Sequence, residues 1–399
     1  MYRNDFSIFQ QEKMIYLDTA ASAQKPKVVL NEMLDFYQTK YANVHRGTCH
    51  LASLATVSYE NSRKKVAEFI NSPAEQVVFT KGATESINLI ANGYIGLLSS
   101  DDEILVSISE HHANFVPWQQ LAKKTGARFV TFDILDNGEI NLSDFEQKLS
   151  SKTKIVAVTH MSNVLGIVNP VELLIQKAHK CGAKVVLDAA QSIAHLSVNV
   201  QDLGCDFMVF SGHKLYGPTG VGVLYGTKEA LNLLSPYQYG GDMVQSVRVE
   251  ETVFKEIPYK FEAGTTPFVE AVGLAKAIEY VSDISMKKIE VHEKELTQYL
   301  IDKLNALDFV EIIAPNENKR GIVSFVVKGV HPTDIAFILS EQNICVRVGH
   351  HCAMPLHKRL GIDVSLRVSL GIYNDEHDID LFVSALQKSI SFFKVNTHD

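Results

Sequence analysis

The chain has 399 residues, of which 46% are apolar and 21% charged, and its formal net charge at pH 7 is −8. That length favours two domains, and the apolar content is large enough to give each a core. The composition shows no block of like charge and no basic face, which argues against nucleic acid or an anionic membrane as a partner. The N-terminal residues lack the apolar core of a signal peptide, and no later segment has about eighteen uncharged apolar residues, so we expect a cytoplasmic protein. Five cysteines without a C-x-x-C pair disfavour a disulfide framework and a zinc site.

The first part of the chain alternates short apolar runs with stretches of helical apolar spacing. A run of about four to eight apolar residues bounded by Gly, Pro or polar residues predicts a buried strand. The predicted strands are 76–80, 103–108, 154–159, 183–187, 207–210 and 221–225, and helical spacing covers 28–37, a stretch that ends near residue 70, and 171–180. This alternation predicts an α/β fold with a large, doubly wound, mainly parallel sheet.

The C-terminal part of the chain has a different pattern. Helical spacing runs from 269 to 307 almost without a break and predicts one or two long helices. Strands are then predicted at 321–327, 343–348 and 366–370, with helices at 332–341 and 374–393. These elements predict a smaller α+β domain. We therefore expect a large cofactor-binding domain at 15–275 and a small domain formed by 1–14 together with 276–399.

The turns after the first predicted strands carry candidate ligands. The turn at Gly82 opens a helix whose first N–H groups, at Ala83, Thr84 and Glu85, are unpaired and favour an anion such as phosphate. A capping threonine without a ligand would explain the same residues. His111 follows the strand at 103–108, and open α/β sheets bind ligands at the carboxyl ends of strands, so His111 is placed to stack on a flat cofactor. A surface histidine is the alternative, and no carboxylate or cysteine at ligand spacing supports a metal there.

Two later strand ends also carry polar side chains. Asn163 follows the strand at 154–159, and Asp188 and Gln191 follow the strand at 183–187. Because Asp188 follows an apolar run, its carboxylate is expected to lie deep, where it needs a partner or must stay protonated. A pyridinium N–H would be such a partner, and a pair roughly 4 Å apart is worth about 4 kcal/mol before desolvation. A cap on the following helix would explain this carboxylate equally well.

The segment SGHKLYGPTG, residues 211–220, carries Lys214 between two predicted buried strands. A solvated loop lysine is the usual explanation of a single Lys. Here, however, Ser211, Gly212 and His213 are of the types that bind phosphate through a hydroxyl, a backbone amide and an imidazole. A lysine beside a bound phosphate predicts a Schiff base to pyridoxal 5′-phosphate.

A second segment, RVGHHCAMP at 347–355, carries Cys352 in a loop between a predicted strand and a proline. An unperturbed thiol pKa of about 8.5 leaves roughly 3% thiolate at pH 7, so a nucleophilic Cys352 needs a neighbour that takes its proton. Three adjacent residues rarely bind one ion, which disfavours zinc at His350, His351 and Cys352. Arg367, in the next predicted strand, suits a substrate carboxylate, with a surface arginine as the alternative.

Together, these motifs closely resemble the SufS-like, or group II, cysteine desulfurases of the class V aminotransferase family. That family has the type I pyridoxal-phosphate-dependent transferase fold, and these members serve iron–sulfur cluster assembly. The resemblance runs from LDTAASAQKP at 17–26 to RVSLGIYN at 367–374. SGHKLYGPTG marks the cofactor lysine, and RVGHHCAMP separates this group from desulfurases whose cysteine lies in a longer loop.

The resemblance implies a role for each candidate residue. The implied cofactor and substrate ligands are Lys214 for the Schiff base, Asp188 for the pyridine nitrogen, Gln191 for the phenolic oxygen, His111 for ring stacking and proton transfer, Thr84, Ser211 and His213 for the phosphate, and Asn163 with Arg367 for the cofactor and the substrate carboxylate. Cys352 would carry the persulfide. In the family, a threonine of an EAGT segment reaches the phosphate of the neighbouring subunit, so Thr265 implies a homodimer with shared sites. The family usually continues Thr-Pro-Asn, whereas here Thr266 precedes Pro267, which leaves Thr266 as an alternative.

The implied reaction converts L-cysteine to L-alanine and leaves the sulfur as a persulfide on Cys352. The sulfur acceptor would be a small SufE-like or a zinc-bearing SufU-like protein. A selenocysteine lyase of the same fold is an alternative. An alternative of another class is a non-catalytic sulfur carrier or scaffold, against which the complete set of Lys214, Asp188, Gln191 and His213 argues.

Overall fold

A computed structural model describes residues 2–11 and 13–395, with side chains up to residue 390. The strands are β1 (Ile15–Tyr16), β2 (Val77–Thr80), β3 (Glu103–Ser107), β4 (Arg128–Phe132), β5 (Thr153–Thr159), β6 (Lys184–Asp188), β7 (Phe207–Ser211), β8 (Gly222–Gly226), β9 (Val244–Val247), β10 (Thr252–Phe254), β11 (Val310–Ile312), β12 (Ile322–Val327), β13 (Ile344–Cys345), β14 (Arg347–Gly349) and β15 (Ser365–Ser369). The helices are α1 (Ile8–Gln11), α2 (Lys27–Thr39), α3 (His50–Phe69), α4 (Ala83–Gly93), α5 (Val116–Thr125), α6 (Leu142–Lys148), α7 (Val171–Lys180), α8 (Ser192–His195), α9 (Val200–Leu203), α10 (Lys228–Leu233), α11 (Phe268–Ile284), α12 (Met286–Asn305), α13 (Pro332–Ser340), α14 (Met354–Arg359) and α15 (Glu376–Val395).

The large sheet has seven strands in the order β2-β8-β7-β6-β5-β3-β4. Strand β8 runs antiparallel to both of its neighbours, and the other pairs are parallel. The middle residues of the central strands β5, β6 and β7 are apolar because helices cover both faces of the sheet. Leu105 and Val185 pack with α3, α7 and α11 on one face, whereas Ile104 and Val186 pack with α4 and α5 on the other. This arrangement confirms the predicted fold class.

This topology brings five turns to one edge of the large sheet. Strand β8 lies between β2 and β7 and is antiparallel to both, so β2 and β7 run in the same direction. The parallel pairs β7-β6, β6-β5 and β5-β3 extend that direction to β3. The turns after their carboxyl ends therefore meet at the edge where open α/β sheets bind ligands.

The smaller sheet is antiparallel, in the order β11-β12-β15-β14, and packs against α12, α13 and α15. The loop that carries Cys352 connects β14 to α14. Near the N-terminus, β1 pairs in parallel with β13, through Ile15 with Ile344 and Tyr16 with Cys345. The N-terminal strand thus joins the C-terminal part of the molecule.

The helical stretch predicted at 269–307 is divided into α11 and α12 at Ser285, whose φ of +83° ends the first helix. The strand predicted at 343–348 likewise becomes β13 and β14. The domain boundary between 275 and 276 stays a prediction. Helix α11 passes through residue 275 unbroken and packs against α2 and α3 along its length. Among the described residues, no helix is both long and apolar enough to cross a bilayer.

Candidate active site

A cavity of about 180 Å³ lies at the carboxyl edge of the large sheet, between that sheet and the cysteine loop. The candidate residues that line it are Thr84, His111, Asn163, Asp188, Gln191, Ser211, His213, Lys214, Cys352 and Arg367. They come from seven separate turns and strands. The fold therefore brings together residues that span 284 positions of the sequence, from Thr84 to Arg367 counted inclusively.

Lys214 lies in the short turn that follows β7, at Gly212–Lys214. Removal from bulk water lowers the pKa of Lys214 to about 8, and the positive charges of Arg347 and Arg367 act in the same direction. Asp188 opposes this shift. About a tenth of the amine is therefore unprotonated at pH 7, and this is the form that attacks a carbonyl carbon.

Asp188 ends β6 at the floor of the cavity and is 5% exposed. Its Oδ1 accepts a hydrogen bond from the backbone N–H of Ala190 at 2.9 Å. Burial raises the pKa of Asp188, while that N–H and the charge of Lys214 hold it down. Nearby, the side-chain amide of Gln191 donates to the carbonyl oxygen of Ala20 at 2.9 Å. Both side chains are thus held in place by backbone groups.

The N-terminus of α4 and the end of β7 form the anion-binding side of the cavity. The backbone N–H of Ala83, expected to be unpaired, in fact donates to Oγ of Ser211 at 2.8 Å, which places that hydroxyl at the first turn of the helix. This hydrogen bond requires β8 and the turn at Gly82 to lie close together. A Cβ added at Gly222 would lie only 2.3 Å from the Cα of Gly82, so a side chain there would separate them. Backbone amides, a hydroxyl and the helix dipole together favour phosphate. Thr84 is exposed at the same turn.

His213 lies beside this anion site. Its Nδ1 lies 3.2 Å from Oγ of Ser22, and its carbonyl oxygen accepts a hydrogen bond from Nζ of Lys25 at 2.8 Å. Burial lowers the pKa of His213 to about 4, and the charges of Lys214 and Lys25 add to that effect. The imidazole is therefore neutral at pH 7. Lys25 was not predicted as a site residue, although it lies in the LDTAASAQKP motif.

His111 precedes a short turn at His112–Asn114 and caps it. Its Nδ1 accepts a hydrogen bond from the backbone N–H of Ala113 at 3.0 Å. Burial lowers the pKa of His111 to about 3, with the charges of Lys214 and Arg347 acting in the same direction. The ring is therefore neutral, and because Nδ1 accepts, its proton is on Nε2.

Arg367 of β15 is 2% exposed and is held from two sides. One terminal nitrogen donates to Oδ1 of Asp18 at 2.8 Å, and the other donates to the carbonyl oxygen of Asn163 at 3.0 Å. Its buried Nε has no hydrogen-bond partner among the described residues. An unpaired donor on a fixed guanidinium that lines the cavity fits a carboxylate.

Cys352 lies in a strained loop that is attached to the large domain. His351 and Cys352 both have left-handed backbones, with φ of +49° and +57°. The side-chain amide of Asn163 donates to the carbonyl oxygen of His351 at 2.7 Å, and the backbone N–H of His112 donates to that of Cys352 at 2.7 Å. Nε2 of His112 also accepts from the backbone N–H of Met354 at 3.1 Å. These contacts hold the loop over the cavity.

Besides Lys25, two ionisable residues in or near the cavity were not predicted. Arg347 lines the cavity. It is the first residue of the RVGHHCAMP motif, and that place in the motif could have identified it as a site residue. Glu110 is fully buried and accepts hydrogen bonds from Nδ2 of Asn114 at 2.6 Å and from the backbone N–H of Thr159 at 2.8 Å. Burial raises the pKa of Glu110 well above its usual value, and the charge of Asp188 adds to it. Glu110 thus joins the ends of β3 and β5 behind the cavity.

Thr265 is the one predicted site residue that lies outside the cavity. It is exposed, next to Gly264, whose N–H donates to the carbonyl oxygen of Gly241 at 2.9 Å. Thr266, the alternative, is 7% exposed and packed inward. Between the two residues, the exposed Thr265 is the one available to a neighbouring molecule.

The residues around this cavity fit pyridoxal phosphate. The cavity offers an amine with a lowered pKa, a buried carboxylate for a pyridinium nitrogen, a flat neutral imidazole and a helix N-terminus for phosphate. The guanidinium of Arg367, which lines the same cavity, adds a positive charge and hydrogen-bond donors for a substrate carboxylate. Each group that the cofactor and an amino-acid substrate require therefore has a matching partner.

Comparisons with known proteins agree with this chemistry. The model of the family described as aminotransferase class-V matches residues 15–382. A probable cysteine desulfurase from Halalkalibacterium halodurans is 44% identical over 394 residues, which cover 97% of this chain and 97% of the relative. The apo structure of a cysteine desulfurase from Thermococcus onnurineus NA1 superposes with a TM-score of 0.94 at 40% identity, covering 97% of this chain and 96% of that one. The cysteine desulfurase CsdA from Escherichia coli, in its S-sulfonic acid form, gives a TM-score of 0.92 at 36% identity and covers 98% of each chain. The family predicted from the sequence motifs is thereby confirmed: the chain belongs to the aminotransferase class-V family.

Proposed function

We propose that this protein is a pyridoxal-phosphate-dependent cysteine desulfurase that converts L-cysteine to L-alanine and keeps the sulfur as a persulfide on Cys352. The observation that carries the proposal is that Lys214, Arg367 and Cys352 line one cavity of about 180 Å³. An amine, a carboxylate-binding group and a thiol in a cavity of that volume suit a small amino acid that carries sulfur. Relatives named cysteine desulfurase over nearly the full chain support the same activity.

Lys214, Asp188, Gln191, His111, Thr84, Ser211 and His213 would hold the cofactor, with Asn163 between it and the substrate. When bound, pyridoxal phosphate supplies an electron sink for charge that develops at Cα of the substrate. The buried carboxylate of Asp188 keeps the cofactor ring nitrogen protonated. The helix N-terminus, Ser211 and the neutral His213 hold the phosphate without adding a full charge.

Arg367, which lines the cavity and is held by Asp18 and Asn163, binds the substrate carboxylate and fixes the orientation of Cα. Lys214, whose pKa is lowered to about 8, takes the proton from Cα and returns it during turnover. His111 carries its remaining proton on Nε2 and can only donate there while it is neutral. We assign to that nitrogen the donation of a hydrogen bond to a developing negative charge in the cavity.

Cys352 completes the reaction as a nucleophile. Its thiolate forms an S–S bond with the substrate sulfur as the substrate Cβ–S bond breaks, and Cβ then takes up a proton. Alanine leaves, and Cys352 retains the sulfur as a persulfide. An acceptor of the SufE-like or SufU-like kind would then remove that sulfur for iron–sulfur cluster assembly.

We also propose that two copies of the chain form a homodimer. Helix α2 presents apolar side chains at helical i, i+4 and i+7 spacing, and α3 presents a second apolar stripe. The exposed members are Leu30, Leu34, Tyr37, Leu51, Leu54 and Val57. Exposed stripes on two helices suit a second copy of the chain. Thr265, exposed and outside its own cavity, would then reach the phosphate in that copy, and its replacement by alanine should weaken cofactor retention.

One experiment tests the activity directly. The purified protein is incubated with L-cysteine, alanine is assayed, and the persulfide is mapped by mass spectrometry. We expect alanine and a persulfide on Cys352, loss of the cofactor absorbance band in Lys214→Ala, and loss of persulfide with retained cofactor in Cys352→Ser. Undiminished persulfide turnover in Cys352→Ser would refute the assignment of the nucleophile. Faster release of alanine from L-selenocysteine with no need for Cys352 would favour the selenocysteine lyase.

A further inference from the structure

A line of buried hydrogen bonds lies behind the cysteine loop and is not used by the reaction above. Nε2 of His351 and Nε2 of His357 each lie 3.0 Å from Oγ of Ser365. Nδ1 of His357 lies 3.1 Å from the carbonyl oxygen of Ala353. His351, Ser365 and His357 are 4%, 0% and 2% exposed. We name this line, from His351 through Ser365 to His357, the histidine relay.

The carbonyl oxygen at one end fixes the direction of every hydrogen bond in the relay. A carbonyl only accepts, so Nδ1 of His357 carries a proton. Burial lowers the pKa of His357, so the ring is neutral and its Nε2 accepts from the Ser365 hydroxyl. The Ser365 hydroxyl has a single proton, which it donates to Nε2 of His357. Its oxygen therefore accepts a hydrogen bond from Nε2 of His351. Burial and the charge of Arg367 lower the pKa of His351 to about 2, so its ring is neutral at pH 7. Because Nε2 carries the one ring proton, Nδ1 is unprotonated and can only accept a hydrogen bond.

The relay attaches the loop to the small sheet at its most strained point. His351 and Cys352 are adjacent residues that both have a left-handed φ, a conformation that is unfavourable for a residue with a Cβ. Their carbonyl oxygens are bound from the large domain by Asn163 and His112. Ser365, which pairs with Gly349 at the start of the loop, binds the side chain of His351 from the other side. The main chain and the side chain are thus anchored to different domains.

We propose that Ser365 and His357 are positioning residues, which act through His351 to hold Cys352 in the left-handed conformation that directs its sulfur into the cavity. This inference rests on the proposed function, because the position matters only if Cys352 attacks a substrate held there. Without the relay, the His351 ring loses its anchor, and the loop relaxes toward ordinary backbone angles. Cys352 then becomes more accessible to solvent and is less often aligned with the substrate.

Two matched pairs of variants separate hydrogen bonding from packing. Ser365→Ala removes the central hydroxyl, whereas Ser365→Thr keeps it. His357→Asn places an amide near the position of Nδ1 but cannot reach Ser365. His357→Gln places an amide oxygen near the position of Nε2, where it can accept a hydrogen bond from the Ser365 hydroxyl. Each holoenzyme is mixed with L-cysteine and quenched in a single turnover to quantify persulfide on Cys352. Alkylation of Cys352 by iodoacetamide is measured separately without substrate.

The two measurements should move in opposite directions. In Ser365→Ala and His357→Asn, we expect persulfide formation to slow by roughly ten- to a hundredfold because the nucleophile is misaligned. Alkylation of Cys352 should accelerate severalfold, and the apparent dissociation constant for L-cysteine, from the cofactor spectrum, should stay within about twofold. Ser365→Thr and His357→Gln should stay near the unmodified protein in both measurements.

Equal rates in all four variants would overturn the relay, as would a Ser365→Thr that is as slow as Ser365→Ala, since that result assigns the effect to packing. Slowing of both alkylation and persulfide formation would also overturn it, because the loop would then not have been released. If the unmodified holoenzyme made neither persulfide nor alanine, the proposed function itself would fail. The alkylation rates would still show whether Ser365 and His357 hold the loop.

Discussion

The side-chain amide of Asn163 donates a hydrogen bond to the carbonyl oxygen of His351 at 2.7 Å, across the boundary between the large sheet and the cysteine loop. The carbonyl oxygen of the same Asn163 accepts a hydrogen bond from Arg367 at 3.0 Å. One residue in the turn after β5 therefore sets the positions of both the carboxylate-binding guanidinium and the loop that carries the thiol.

Replacement of Asn163 by alanine should release the cysteine loop from the large domain. Loss of this buried hydrogen bond leaves the His351 carbonyl unsatisfied, so the free energy of unfolding should fall by about 1–3 kcal/mol. Single-turnover persulfide formation should slow about tenfold or more. Chemical denaturation and quenched-flow analysis measure the two effects. The exposed Asn232 of α10 provides the control, and an Asn163→Ala variant that matched Asn232→Ala would contradict this role.

Replacement of Arg367 by lysine should weaken substrate binding without loss of the cofactor. Lysine keeps a positive charge but cannot bind Asp18, the Asn163 carbonyl and a substrate carboxylate together in one plane. KM for L-cysteine should rise by roughly tenfold or more, while the cofactor absorbance is retained. Steady-state kinetics tests this, with Arg128→Lys at an exposed position as the control. An unchanged KM would show that the carboxylate is bound elsewhere.

The lowered pKa of Lys214, about 8, predicts how the apoprotein takes up its cofactor. Only the unprotonated amine reacts with an aldehyde, and its fraction increases with pH up to that pKa. The rate of incorporation of added pyridoxal phosphate should therefore rise about tenfold per pH unit below 8 and level off above it. Stopped-flow absorbance follows the reaction. A rate that kept rising to pH 10 would mean that Lys214 has an ordinary lysine pKa.

Replacement of Gly222 by alanine should disrupt the phosphate side of the cavity. The added Cβ would lie 2.3 Å from the Cα of Gly82, so the backbone at the start of α4 has to move. Cofactor should then be lost on dialysis that leaves the unmodified protein loaded, because the amides at the helix N-terminus no longer meet the phosphate. Gly96 is a suitable control, since a Cβ there meets nothing within 4 Å. Equal cofactor retention in Gly222→Ala and Gly96→Ala would contradict the close approach.

The cysteines should differ sharply in reactivity. Cys205 is fully buried, and burial raises the pKa of its thiol to about 12, whereas Cys352 is partly exposed in a polar loop. Iodoacetamide at pH 8 should modify Cys352 in the native protein and leave Cys205 unmodified until the chain unfolds. Peptide mass spectrometry resolves the two sites. Modification of Cys205 at the rate of Cys352 would show that the core around β7 opens readily.

The sequence determined six of the seven strands of the large sheet, all but the edge strand β4, and the identity of most site residues. Its buried strands are continuous apolar runs, and the turns that follow them carry their polar residues in short, recognisable motifs, so the relevant information is local in the chain. The motif around Lys214 and the motif around Cys352 could be recognised for the same reason. Weakly apolar or exposed elements, such as the β9–β10 hairpin, gave no such pattern and were not predicted.

Only the tertiary structure decided how these residues act on one another. That Lys214 and Cys352 share a cavity depends on packing between two sheets, and no spacing in the chain encodes it. The lowered pKa values of Lys214 and His111 come from burial and from arginine charges that are distant in sequence. His357 belongs to no recognised motif, and its place in the relay follows from the contact between α14 and β15 through Ser365. Chemistry-bearing residue types are a property of the local sequence, whereas their protonation, partners and orientation arise from long-range contacts.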